Sequence, residues 1–523
     1  MTEAHTTAPR QGRPTQQAFS GSVIGVLEVV ALALMISAGL VGWATGTFTR
    51  GYDYDEVLRA HSIWLTSQGL RPYSDFFEVH PPYFVMLSPV VRAFADPVDG
   101  LIALRMVAVA GNLFFLGGLV ALGTLSLRSD EGRRWAWLAT ALVAFNPYIL
   151  DFLVEFRIDG WGYGLVAFSI FHYCRRTRTP LRVIGFGAST ALASVLFCPK
   201  LVVLAPLIVF VDQIMTFESW RGFVRGLLAY TAGVGGAAAA FLLYLLVNRI
   251  GIERMSLMLG RYHAVSNSHA GFRYGLLGQI GLMRPLLALV LAGLTAGAWR
   301  CVRRRTAWGP YQPALVIWLL TQAFLVTYPY KQYYAPWFLF ATGLIAPLGP
   351  FLAGIVKGCR GIIYVLACLV TIHECYQIAR FWGATNVATA ENELIRWMNH
   401  IARPEDRIVG SPPYHPIDRF DTFFLSFNTS DPKGYDSERI FAELPGLRPF
   451  VTPERYRAEL DAHPPSVVVL KSPVFEVTHP ATQRAVLEDY MLRHGYRRAR
   501  VGVVWFALRP DRFEYAMRNG LLK

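Results

Sequence analysis

Residues 51–82 read GYDYDEVLRAHSIWLTSQGLRPYSDFFEVHPP and follow directly on the first long apolar segment of the chain. Asp53, Asp55 and Glu56 stand just beyond that segment, where a carboxylate touches water and still faces a substrate embedded in lipid. Asp75, Glu78 and His80 arrive just before the next apolar run. Between the two acidic groups Val57, Leu58, Ile63, Trp64 and Leu65 recur at mostly helical spacing, which predicts a short helix lying in the membrane interface. Charges of this kind in a single loop are ordinarily no more than its solvated face; what argues otherwise is the content of the other outer loops.

The apolar segments on either side decide the class. Of 523 residues, 53% are hydrophobic and only 16% charged, too few charges for a soluble enzyme of this length. The net charge of +14 would suggest a nucleic-acid partner in a soluble chain, but here much of it sits in short clusters between apolar segments, the placement of topology signals, so no nucleic-acid partner is expected. The six cysteines all fall in or beside apolar segments, and their spacing provides neither a disulfide framework nor a CxxC metal site; no metal and no cofactor is expected from them.

Apolar runs near 22–45, 101–127, 135–148, 160–173, 183–196, 201–217, 223–247, 275–299, 314–326, 334–355 and 362–378 predict about eleven membrane helices. Residues 1–20 read as a disordered cytoplasmic tail, 21–380 as the membrane domain with a first outer loop at 47–82, and 381–523 as a small extracytoplasmic α/β domain. Orientation follows from the basic loops: Arg128, Arg133 and Arg134, then Arg175, Arg176, Arg178 and Arg182, Arg221 and Arg225, Arg300 and Arg303 to Arg305, and Lys357 with Arg360 occupy every second loop and mark the cytoplasmic side. In the last quarter ENELIRWMNHIA, PERYRAELDA and ATQRAVLEDYMLRHG read as helices, while DRIVGS, SVVVL and VGVVWFAL read as strands. It holds no Gly-rich phosphate loop and no nucleophile elbow.

The same orientation gathers other unusual residues on the outer face. Asp151, Glu155, Arg157 and Asp159 occur in NPYILDFLVEFRIDGWGYG. A charge at bilayer depth costs about 3 kcal/mol unless it is paired or hydrated, so these side chains are expected to face an internal cavity. Lys200 follows Cys198 and Pro199, and Lys331 lies in TYPYKQYYAP among Tyr328, Tyr330, Tyr333 and Tyr334. Each lysine alone reads as a side chain snorkelling to the interface, and the tyrosines as an aromatic belt. Three cations from separate segments meeting beside carboxylates instead suit a substrate that carries a phosphate.

At these residues the chain resembles the GT-C membrane glycosyltransferases, in particular the bacterial branch with the lipid A aminoarabinose transferase and the protein O-mannosyltransferases. YDEVLRAHSIWLTSQGL is similar to the acidic motif of that family's first outer loop, and FFEVHPP to its Glu-containing stretch ending in Pro-Pro, with Val79 and His80 where some members carry Lys. EFRID resembles a recurrent Arg-x-Asp, and PYKQYYAP a basic, aromatic and Pro motif before a late span. The resemblance covers about residues 22–378. It implies a multi-pass enzyme of the bacterial cytoplasmic membrane that moves a sugar, with inversion, from a polyprenyl-phosphate carrier to an envelope glycan, lipid or protein. It further implies Asp55 as general base, Glu56 orienting it, and Asp53 as the local competitor for that role. Arg157, Lys200 and Lys331 become donor-phosphate ligands, and Asp75, Glu78, His80, Asp159, Tyr330 and Tyr334 candidate substrate contacts. The rival class is a transporter or flippase; against it, the charges cluster at one membrane face and no inverted repeat is evident, whereas a transport site belongs near the midplane.

Overall fold

The computed structural model describes residues 15–125, 127, 130–175, 179–262, 265, 275–304, 309–355, 360–410, 414–420, 453–471 and 481–522. Arg128, Arg176, Arg178, Arg305, Lys357 and Cys359 lie outside the described residues. The first helix, α1 (Thr15–Thr49), begins inside the segment expected as a tail. It is followed by α2 (Tyr54–Ser67), α3 (Phe84–Arg92), α4 (Pro97–Leu125), α5 (Asp130–Ala144), α6 (Pro147–Leu153), α7 (Asp159–Arg175), α8 (Pro180–Leu196), α9 (Leu204–Met215) and α10 (Trp220–Val247).

Five helices of the described residues are long and apolar enough to cross a membrane, or up to seven if two bent pairs each count as one. Others that the sequence reads as spans are shorter: α8 has 17 residues and Tyr311–Leu325 has 15. At ~1.5 Å per residue these reach ~25 Å, less than the ~30 Å hydrocarbon layer. The α1 helix packs along Arg360–Thr385 and leaves Val26, Val29, Val30 and Leu34 exposed, an apolar face suited to lipid. The expected span 135–148 is broken. Asn146 caps a new helix by accepting from the Tyr148 amide, Pro147 opens it, and α5 and α6 meet at 84°. That bend brings Asp151 beside Arg50 and Lys331.

The α2 helix departs from the expected interfacial helix: Val57, Ala60 and Ile63 are fully buried, and Arg59, His61 and Ser62 are enclosed with them. The face expected to meet headgroups is covered by the C-terminal part of the chain. His61 Nδ1 lies 2.9 Å from the Ile417 carbonyl, and the Trp64 ring meets Phe420 edge-on at 4.9 Å.

The C-terminal region carries a four-stranded sheet of β1 (Arg407–Val409), β2 (Pro465–Lys471), β3 (Arg497–Val501) and β4 (Val504–Leu508) in the order β1-β2-β4-β3. Strands β1 and β2 are parallel, and the other pairs antiparallel. Helices form at Val387–Ile401, Pro453–Ala462 and Ala481–Arg493, as read from the sequence, and Gly495 closes the last of them at φ +67. The run VGVVWFAL is not one strand: Gly502, at φ +56, turns the chain between β3 and β4. The β3 segment RRARV has no apolar run because it is the sheet's largely exposed edge, and so carries no strand signal. A closing helix, Pro510–Arg518, was also absent from the sequence reading.

Candidate active site

The site is built on the N-terminus of α2. Asp53 has extended backbone and caps the helix, its side chain accepting from the Asp55 amide at 3.0 Å. Glu56 completes a capping box by accepting from the Asp53 amide at 2.8 Å. The same buried carboxylate takes Nε and Nη2 of Arg105, both at 2.8 Å, and the Phe156 amide at 2.6 Å. Glu56 therefore holds the loop, α4 and the 154–158 segment together as an acceptor. Burial opposes its charge, but Arg105 and Arg50 outweigh that and keep it below the usual carboxylate range.

Asp55 keeps 28% of its side chain exposed. Its Oδ2 accepts from Arg59 at 3.0 Å and faces Arg157 at 3.3 Å, while Oδ1 has no hydrogen-bond partner among the described residues. Burial works against its charge, yet the Arg59 and Arg157 guanidiniums lower its pKa to about 2. Asp53 behaves in the opposite sense. Burial and the neighbouring Glu155 and Asp55 carboxylates push it up to about 6, against Lys331 and Arg157. Its Oδ1 serves the cap, and its Oδ2 lies 3.4 Å from Lys331.

Glu155, fully buried, is the hub beneath. It takes Arg50 at 2.7 Å, Arg157 Nε at 2.6 Å and Lys331 Nζ. Burial again disfavours its charge, but Arg157, Arg50 and Lys331 hold it well below the ordinary glutamate range. Asp151 bridges Arg50 at 2.5 Å and Lys331 at 3.0 Å. Arg157 and Lys331 are thus both committed to carboxylates. Lys200 differs: its Nζ donates to the Gln332 carbonyl at 3.0 Å and lies over the Tyr333 ring at 4.1 Å, with no carboxylate partner among the described residues. Burial lowers its pKa, with Asp159 acting in the other direction.

Glu78 and His80 form a second support. The buried Glu78 Oε1 accepts from the Val79 and His80 amides at 2.8 and 2.9 Å and stands 2.6 Å from His80 Nδ1. His80 Nε2 lies 3.1 Å from Arg59 Nη2, which has no capacity to accept, so the imidazole accepts there and carries its hydrogen on Nδ1. One Nη2 hydrogen of Arg59 serves His80 and the other Asp55, giving the order Glu78, His80, Arg59, Asp55.

The structure therefore brings Asp53, Asp55, Arg157 and Lys331 into one network, with Lys200 and Asp159 beside it. Asp75 is not part of it. Its carboxylate closes a surface loop on Arg71, at 2.9 and 3.1 Å to the guanidinium and 2.8 Å to the amide. Tyr330 precedes the helix Lys331–Ile345 and stacks on Tyr328, and Tyr334 stands on the next turn near Lys331. Sequence reading passed over Arg50, Arg59 and Arg105. Arg105 had a signal: it interrupts the apolar run LIALRMVAVAG, where an unpaired charge is costly. Among the described residues no group of three or more His, Cys, Asp or Glu is placed to hold a metal.

No family model matches the chain, and no curated protein matches it either. Solved structures do. ArnT from Cupriavidus metallidurans in the apo state superposes with a TM-score of 0.56 at 13% identity, over 94% of this chain and 98% of its own. The same protein bound to undecaprenyl phosphate gives 0.56 at 14% identity, over 91% and 97%. This chain has the GT-C fold. The likeness spans both the helical bundle and the C-terminal sheet, beyond the residues 22–378 on which the sequence resemblance rested. It places α2 and its capping acids on a GT-C scaffold.

Proposed function

We propose that the protein is an inverting glycosyltransferase that moves a sugar from a polyprenyl-phosphate donor to an envelope glycan, lipid or protein at the outer face of the bacterial cytoplasmic membrane. The observation that carries this reading is the Asp55 carboxylate: one oxygen is held by Arg59 and Arg157, and the other has no hydrogen-bond partner among the described residues, on a side chain that stays part-exposed. Asp55 Oδ1 takes the proton of an acceptor hydroxyl as that oxygen attacks the anomeric carbon from the face opposite the phosphate. The bond from anomeric carbon to phosphate oxygen breaks, and its electron pair leaves on the polyprenyl phosphate. Lys200 has its charge available for that phosphate, and Arg157 and Lys331 add theirs as the phosphate competes with Asp53, Asp55 and Asp151. The ArnT of the same fold, solved with undecaprenyl phosphate, supports a lipid phosphate as the donor's carrier.

Purified full-length protein in detergent, given a panel of undecaprenyl-phosphate monosaccharides and an extract of envelope glycolipids, should release undecaprenyl phosphate and glycosylate one acceptor. A detergent solution holds no gradient, so a transporter would leave every donor intact, and that result would remove the proposal.

A further inference from the structure

We propose that Glu391 is a positioning residue for the loop that presents Asp53 and Asp55, and that the C-terminal domain thereby forms part of the active-site framework; this rests on the function proposed above. Glu391 lies on the helix Val387–Ile401, which continues the line of Arg360–Thr385 past a single left-handed residue, its N-cap Asn386, at φ 37 and ψ 48. It is 4% exposed, and its Oε2 accepts from the Tyr52 amide at 2.6 Å. That amide has no helical partner of its own, since α2 begins at Tyr54.

From Tyr52 the contact passes directly into the site. The Tyr52 ring lies 4.3 Å from the Arg105 guanidinium, Arg105 grips Glu56 through two bonds, and Glu56 receives the Asp53 amide. Packing is close on the same line: a Cβ on Gly51 would stand 2.7 Å from Val387 Cγ1 and 3.2 Å from Glu391 Oε2. The helix is also fastened to the rest of the C-terminal region, with Trp397 donating to the Leu521 carbonyl beyond the closing helix at 3.0 Å and its ring 4.8 Å from Phe506 of β4. One buried apolar cluster includes Tyr52, Val57, Ala60 and Ile63 of the site loop and α2, Leu394, Ile395 and Met398 of the helix, and Val467, Val469 and Phe506 of the sheet. A domain attached only by a linker would have a core of its own. Here the sheet, the helix and the loop before Asp53 share one, and Glu391 is the polar contact at its end.

The test uses the full chain and two readouts. Hydrogen exchange of a peptide covering residues 51–57 reads the position of the loop without any substrate, and transfer from an undecaprenyl-phosphate monosaccharide reads its consequence. In Glu391→Ala the amides of this peptide should exchange about five- to ten-fold faster, the factor expected for one lost hydrogen bond, while peptides of α4 and α7 keep their protection. Turnover should fall by about ten-fold with the donor KM held within about two-fold, since the donor phosphate is bound by other residues. Glu391→Gln, which retains an acceptor oxygen, should recover most of both. Gly51→Ala presses on the same contact from the other side and should speed exchange as well, so the inference remains testable if the alanine variant at 391 fails to fold. Unchanged exchange at 51–57 in Glu391→Ala and Gly51→Ala would overturn it. If the unmodified protein turns over no donor, the proposed function fails while the exchange result still decides the role of Glu391.

Discussion

Glu56 and Arg105 meet through two parallel hydrogen bonds, Nε to Oε1 and Nη2 to Oε2, each 2.8 Å long, with both side chains 1% exposed. Without Arg105, Glu56 keeps only the longer pairing with Arg50, 3.4 Å away, and breaking a buried pair costs about 3–5 kcal/mol. Arg105→Met should therefore lower thermal stability sharply, and Arg105→Met combined with Glu56→Leu should recover part of the loss. Additive losses in the double variant, measured by thermal unfolding in detergent, would mean that the two residues act separately.

Asp55 and Asp53 are separated by their titration. With its pKa lowered to about 2, Asp55 is ionised throughout the working range, so a rate that depends on it as base stays flat as the pH falls through 6. With its pKa raised to about 6, Asp53 becomes protonated below that pH, and a rate that depended on it as base would fall there. Asp55→Asn should cost about 10²- to 10⁴-fold in transfer with donor binding retained, and Asp53→Asn much less. An acid limb near pH 6 in the unmodified enzyme, with little turnover left in Asp53→Asn and full turnover in Asp55→Asn, would move the role of base from Asp55 to Asp53.

The three cations should not respond alike. Lys200 has no carboxylate to leave stranded, so Lys200→Ala should weaken donor binding by about ten- to a hundred-fold with little change in unfolding temperature. Arg157→Ala and Lys331→Ala each take one of three cations from the buried Glu155 and should lower stability as well as donor affinity. Binding of undecaprenyl phosphate by calorimetry, beside thermal unfolding, separates the two effects. Unaltered affinity in all three variants would leave them as interfacial lysines and a structural arginine.

His80 is expected to act through Arg59. Gln at this position retains an acceptor that reaches the guanidinium, so His80→Gln should keep a larger share of turnover than His80→Leu, which leaves Arg59 Nη2 with one partner fewer. Since a neutral hydrogen bond is worth about 1 kcal/mol, the leucine variant should lose about five-fold in kcat. Equal activity of the two variants would show that the histidine merely fills space.

Orientation is open to a chemical test. In a cysteine-free background, Leu492→Cys, in the C-terminal domain and 83% exposed, should react with an impermeant thiol reagent added to intact cells. Trp220→Cys, beside the basic residues Arg221 and Arg225, should react only after lysis. The reverse pattern would turn the whole site to the cytoplasm.

The residues themselves determined a good deal of this. A chain with 53% hydrophobic and 16% charged residues has few options but a membrane bundle, and the cost of an uncompensated charge at depth was enough to place Glu155 and Arg157 facing inward, where they are buried and paired. Helix periodicity and turn glycines located most of the C-terminal elements because those signals are local. What local signals do not carry is which donor a carboxylate meets. Glu56 and Asp55 are neighbours with the same motif reading, yet one lies under Arg105 from α4 and the 154–158 segment, and the other stays part-exposed. Asp75 read as a candidate substrate contact, and its carboxylate is instead closed on Arg71. Likewise α2 is amphipathic enough to lie in an interface, yet it is buried, by α3 and α4 and by Ile417, more than three hundred positions away. Apolar burial depends on composition and spacing along the chain, whereas the state of a charge depends on its nearest opposite charge in space, and here most of those partners come from distant segments.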